Sequence, residues 1–167
     1  FYNFDKILTI MQIERIKLLD RKFKTMIPAE EIDKAVEMIK ASKRPIIFCG
    51  GGVVAADAGA EVCSLAEKID AYVGCSMMGL SAVSGEYERN LGMLGMHGHY
   101  ASSMSQNEAD LIIGVGVRFS DRATGNVSKF AKKSKIIQLD PDFAEINKNV
   151  KVDCGIVADV EDAFKRI

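Results

Sequence analysis

The run Pro45-Ile46-Ile47-Phe48-Cys49 is apolar at every position and ends in Gly50-Gly51-Gly52. A strand with one face in water alternates polar and apolar residues. A strand with no polar position must be covered on both faces, which is the situation inside a parallel sheet flanked by helices. The glycines then mark a sharp turn from the strand into the next element. From this one segment the expected fold class is α/β, with βαβ units joined by right-handed crossovers.

The rest of the chain repeats the pattern. Pro28–Ser42 predicts a helix with Pro28 in its first turn and Ile32, Ala35, Val36 and Ile39 on one face. Ala55–Lys68 predicts a second helix, turning Ala58, Val62, Leu65, Ala66 and Ile69 toward the sheet. Further strands are expected at 71–75, 110–115, 134–139 and 152–157, and helices at 100–107 and 159–167, the last with an acidic start and a basic end that suit its dipole. Ser76–Gly98 is dotted with glycines, too irregular for one element, and reads as a long functional loop. Residues 1–24 scatter Phe1, Phe4, Ile7, Leu8, Met11, Ile16 and Leu19 among lysines and arginines, so 1–27 is expected to be a linker or appended amphipathic helix and 28–167 the globular domain.

Charge narrows the function classes. The 22 basic and 23 acidic residues give a net charge of -1, with no positive excess to neutralise a phosphate backbone, so nucleic acid is not an expected partner. No apolar run reaches the roughly 20 residues that cross a bilayer, and a signal-peptide start is lacking, so no membrane partner and a cytoplasmic location are expected. Cys49, Cys63, Cys75 and Cys154 form no C-x-x-C pair and are read as reduced core thiols.

Several segments could carry chemistry. Gly50-Gly51-Gly52-Val53-Val54-Ala55 fits a loose G-x-G-x-x-A turn, either a pyrophosphate cradle or only a tight turn. An NAD site would also want an acid at the end of the second strand, where Ser76 stands. Asp140 follows the run Ile136-Ile137-Gln138-Leu139 and so falls at a strand's carboxyl end; it is a ribose contact or part of an Asp140-Pro141-Asp142 turn. Gly92-Met93-Leu94-Gly95-Met96-His97-Gly98 lets backbone approach a flat ligand while methionines pack against it, or fills a core from a loop. Arg118, Asp121 and Arg122 follow the third strand, as an anion-binding pair of guanidinium forks or as an internal ion pair. His97 and His99 lack neighbouring ligands, and no metal site is expected.

These segments, in this order, resemble the central domain of thiamine-diphosphate enzymes, most specifically acetolactate (acetohydroxyacid) synthase catalytic subunits. Arg44–Val53 resembles the family's start of domain, Ser76-Met77-Met78-Gly79-Leu80 its T-L-M-G-L segment, and Leu91–Gly98 its G-M-L-G-M-H-G run. Ala109–Gly125 resembles its A-D-L-L-L-A-x-G-V-R-F-D-D-R-V-T-G segment. Coverage extends from about residue 30 to 167.

The resemblance implies a three-layer, Rossmann-like parallel sheet of about six strands with helices on both faces, holding FAD in an extended pose. It implies FAD contacts at Gly50, Gly51, Gly52, Ser76, Met77, Met78, Leu94, Gly95, Met96, His97, Gly116, Val117, Arg118, Ser120 and Arg122. The set continues through Asp140, Pro141, Glu145, Ala158, Asp159 and Val160, with Arg122 also near the carboxylate of a second keto acid. Four positions depart from the pattern: Ser76 replaces Thr, Ser120 replaces Asp, Pro141 replaces Ile and Ala158 replaces Gly. Such enzymes join two pyruvates, or pyruvate and 2-oxobutanoate, on thiamine diphosphate held with Mg²⁺ by other domains. No G-D-G diphosphate motif occurs here, so this chain alone is expected to be inactive. The implied partners are the N- and C-terminal domains of the same subunit, a homodimer or tetramer, and a small regulatory subunit. Two alternatives stay open: another FAD-bearing thiamine enzyme such as glyoxylate carboligase, and a stand-alone nucleotide-binding module of the sirtuin-like fold.

Overall fold

The computed structural model describes residues 27–167; the expected N-terminal linker or helix lies outside them. Six strands, β1 (Pro45–Cys49), β2 (Tyr72–Cys75), β3 (Asn90–Met93), β4 (Leu111–Val115), β5 (Lys135–Asp140) and β6 (Cys154–Val157), form one sheet in the order 3-2-1-4-5-6. Every pairing is parallel. The helices are α1 (Ala29–Ala41), α2 (Gly51–Ala55), α3 (Gly59–Lys68), α4 (Tyr100–Glu108), α5 (Asp121–Thr124) and α6 (Val160–Phe164). Single 3₁₀ turns follow β2 at Met77–Gly79 and β5 at Phe143–Glu145. This is the α/β architecture expected from the apolar runs.

Alternate residues of the central strands divide between two cores. Ile47, Cys49, Ile113, Val115, Ile137 and Leu139 join Ile32 and Ala35 of α1, Val62 and Leu65 of α3, and Val160 and Ala163 of α6. Ile46, Phe48, Ile112 and Ile136 face the other way, toward Leu94, Val117 and Phe119. With both faces covered, no position of β1 or β4 can be polar.

On that second face one register row runs across the sheet as Gly92, Gly74, Phe48, Gly114, Gln138 and Gly155. Gly74, Gly114 and Gly155 are sockets for the loops beyond the strands. A Cβ on Gly74 would lie 2.4 Å from Leu94, on Gly114 2.4 Å from the Phe119 ring, and on Gly155 2.6 Å from Ile146. The Phe119 ring also meets Phe48 and Phe130 edge-on, each at 5.8 Å between centroids.

Five expectations need correction. The helix expected over 55–68 begins only at Gly59; Ala55 ends a separate short helix that starts at Gly51, and between the two Asp57 takes a left-handed φ of 53°. Ser76–Gly98 is not all loop: it contains the edge strand β3 and the turn at Met77–Gly79. Pro28 precedes the first helix, at ψ 130°, instead of sitting in its first turn. All four cysteines are free thiols, but Cys63 is only half-buried. The last helix is shorter than the 159–167 expected, and Asp159 caps it by accepting the Glu161 N–H at 3.0 Å.

Candidate functional site

The chain winds β1 to β2 to β3 in one direction, then returns to the middle and winds β4 to β5 to β6 in the other. Between β1 and β4 the loops at the carboxyl edge must diverge, which opens a crevice by topology alone. A cavity of about 620 Å³ lies there, within the range of small-molecule sites.

Its floor is two backbone turns in contact. The N–H of Gly50 donates to the Val115 carbonyl at 2.9 Å and that of Gly52 to the Gly116 carbonyl at 3.1 Å. Gly116 has a φ of 54°, and a Cβ on Gly50 would lie 2.0 Å from its oxygen, so side chains at these positions would force the turns apart. Those two N–H donors are committed inside the protein.

The next turn aims the charges. Phe119 has a φ of 47°, an uncommon conformation for a large side chain that is held by burial of its ring. The flanking Arg118 and Ser120 are thereby exposed at the cavity wall. Among the described residues neither Arg118 nor Arg122 forms an ion pair; Asp121 instead accepts the Arg122 backbone N–H at 2.8 Å. Two exposed guanidinium forks held in no ion pair among the described residues suit an anionic ligand. Met77 and Met78 stand across the cavity, 61% and 76% exposed, offering soft apolar surface.

Thirteen of the sequence-derived site residues line this cavity: Gly50, Gly51, Gly52, Ser76, Met77, Met78, Leu94, His97, Gly116, Val117, Arg118, Ser120 and Arg122. Gly95 and Met96 lie just outside, where the Met96 N–H donates to the Arg122 carbonyl at 2.9 Å. Asp140 ends β5, Pro141 and Glu145 follow it, and Ala158, Asp159 and Val160 follow β6 along the same edge; none of the six lines the cavity. Ala158 and Val160 are fully packed, so any ligand contact there falls to backbone.

The β5 end is acidic, and two of its acids, Asp140 and Glu145, are buried. Asp140 accepts the Asp142 N–H at 2.9 Å, and burial pushes its carboxyl above the ordinary range, helped by Glu145 and opposed by Arg118. One oxygen of Glu145 meets Lys148 at 2.6 Å, while the other is buried with no partner among the described residues. A buried acceptor without a donor calls for a ligand hydroxyl or water. Among the described residues no cluster of three metal-ligating side chains occurs.

The sequence model of the thiamine pyrophosphate enzyme central domain matches residues 32–167. The chain belongs to that family. As a thiamine pyrophosphate enzyme central domain it is 40% identical over 139 residues to the acetolactate synthase large subunit of Buchnera aphidicola subsp. Schlechtendalia chinensis, covering 83% of this chain and 24% of that relative. It is 40% identical over 153 residues to the probable acetolactate synthase large subunit of Methanococcus aeolicus, covering 92% and 26%. Against the acetolactate synthase isozyme 3 large subunit of Escherichia coli (strain K12) it is 36% identical over 137 residues, covering 82% and 24%. The chain thus spans about a quarter of the length of the curated relatives it matches.

Two residues lining the cavity of this central domain were missed in the sequence, Phe119 and Ala123; Met93, which also lines it, was read there as one of the methionines of the Gly92–Gly98 run. Ala123 adjoins Arg122, which was named. Phe119 carried no local signal, since its place depends on a glycine socket in β4. No described helix is long and apolar enough to cross a membrane.

Proposed function

We propose that this chain is the central domain of an acetolactate synthase large subunit and that its carboxyl edge holds FAD. The observation that carries the reading is the cavity at the β1–β4 divergence, floored by touching glycine turns and walled by two arginines that form no ion pair among the described residues. The residues fit an extended dinucleotide. Arg118 and Arg122 would hold the diphosphate, and Met77, Met78 and His97 would cover the flavin. Asp140 and Glu145, farther along the edge, would accept ribose hydroxyls, the orphaned Glu145 oxygen being the acceptor in need of one. Ser76 at the end of β2 supplies no carboxylate there, which disfavours an ordinary NAD site.

When bound, FAD supplies a structural platform without net redox turnover. Ser120 and Ala158, which depart from the family pattern, would tune affinity, Ser120 by placing a neutral hydroxyl on the cavity wall and Ala158 by a methyl packed at the end of β6. Arg122 would reach the carboxylate of the second keto acid. Thiamine diphosphate and Mg²⁺ would belong to the other domains of the longer subunit, in a cytoplasmic homodimer or tetramer with a small regulatory subunit. Purified chain supplied with pyruvate, thiamine diphosphate and Mg²⁺ is expected to form no acetolactate. Ultrafiltration with FAD and NAD in parallel tests the cofactor: near-stoichiometric retention of FAD alone is expected, and retention of neither, or of both equally, overturns the reading.

A further inference from the structure

Gln138 lies in the middle of β5, 1% exposed, between Gly114 of β4 and Gly155 of β6 in the register row described above. Its glycine neighbours let two loops fold down onto the sheet face: Val117–Phe119 over Gly114, and Ile146 over Gly155. The Gln138 carboxamide stands between these loops and reaches both. Its Nε2 donates to the Val117 carbonyl at 3.2 Å and to the Glu145 carbonyl at 3.1 Å. A polar side chain this deep in a sheet is costly unless hydrogen-bonded, and here both amide protons are used. A second tie runs in parallel, from Asn149 Nδ2 to the Arg118 carbonyl at 2.8 Å.

The two tethered loops carry different charges. Arg118 follows Val117 directly, and Glu145 carries the orphaned carboxylate oxygen. We propose that Gln138 is a positioning residue, whose carboxamide fixes the spacing between Arg118 and Glu145 so that one nucleotide can be held by its phosphate and its ribose together. This rests on the dinucleotide reading above for its ligand, while the tether itself is a property of the ligand-free chain. Gln138 touches no ligand. Removing its N–H groups leaves the carbonyls of Val117 and Glu145 without their donor and lets the loops move independently.

The test replaces Gln138 with Met, of similar length and without N–H groups, in the full chain. Gln138→Met is expected to raise the dissociation constants for FAD and for ADP, which span both loops, by about tenfold or more. Binding of inorganic diphosphate, which needs only the arginine loop, is expected to change less than twofold; a general loss of structure would weaken all three. Wild-type and Gln138→Met chains binding FAD within twofold of each other would overturn the positioning role and leave the dinucleotide reading standing. If the wild-type chain binds neither FAD nor ADP, that reading fails, and amide hydrogen exchange of the ligand-free chain decides the tether. Faster exchange in both 116–120 and 143–147 of Gln138→Met upholds it, and unchanged exchange refutes it. Should Gln138→Met not fold, Gln138→Glu replaces it: a protonated carboxyl can donate one bond and an ionised one none. Its ligand affinity, or its exchange protection where no ligand binds, is expected to improve relative to wild type from pH 8 to pH 5, and a flat ratio overturns the proposal.

Discussion

Gly52 donates its backbone N–H to the Gly116 carbonyl at 3.1 Å, and a Cβ on Gly52 would stand 2.6 Å from the Gly116 Cα. The two turns flooring the cavity therefore touch through backbone, and only glycine permits the approach. Gly50→Ala, whose Cβ would meet the Gly116 oxygen at 2.0 Å, is expected to destabilise the fold by about 3 kcal/mol, at the upper end of overpacking costs. Gly85→Ala is the control, since nothing lies within 4 Å of its Cβ, and it is expected to be neutral or to stabilise by about 0.5 kcal/mol. Denaturant melts of both variants check the contrast; equal effects would contradict it.

At the opposite, amino edge of the sheet, Asp110 ties the α1–β1 connection to β4. Its carboxylate accepts hydrogen bonds from the Ser42 hydroxyl, the Lys43 N–H at 2.8 Å and the Arg44 N–H at 3.1 Å. Burial pushes its pKa up, and these donors outweigh burial, so the carboxyl ends below its ordinary value. A lowered folded-state pKa means that this stability is complete above the unfolded pKa of about 3.9 and is lost as pH falls through the lower folded value. Asp110→Ala is expected to cost about 2 kcal/mol near neutrality, with the gap to wild type closing below about pH 4. Urea melts at stepped pH measure it, and a pH-independent gap would refute the assignment.

Most of the fold was legible because β1 and β4 are continuous apolar runs that only a doubly covered sheet accommodates, and β5 carries the apolar Ile136, Ile137 and Leu139 around its one buried amide, Gln138. The edge strand β3 was not legible. Asn90-Leu91-Gly92-Met93 has no β-branched residue, is half-buried throughout, and pairs with one neighbour across a register shift at Val73/Gly74. The break at Asp57 was hidden because Ala56-Asp57-Ala58 carries no glycine or proline. Within the site, the glycine turns and the two arginines were visible as local motifs. Phe119 and Gln138 were not, since both answer to glycines on neighbouring strands, and such pairing is absent from local sequence.

Thiol reactivity reports the same packing. Burial and contact with Glu31 push the Cys154 pKa up to about 12, and Cys49 is raised by its hydrogen bond with Cys75 and by burial. Cys63 is raised by burial and by Glu67 but is partly accessible. Iodoacetamide at pH 8 is expected to label Cys63 first and slowly, and Cys154 only on unfolding. Peptide mass spectrometry of timed samples would show this order, and early labelling of Cys154 would contradict it.

In the proposed function, Arg118 and Arg122 hold a flavin dinucleotide at the edge between β1 and β4. Titrating FAD with the full chain while following flavin fluorescence tests it most directly. A saturable change is expected, with Arg118→Ala weakening affinity by about tenfold, as for loss of a charge-assisted hydrogen bond. Added salt should narrow that difference. No saturable change, or identical curves for wild type and Arg118→Ala, would contradict flavin binding at this edge.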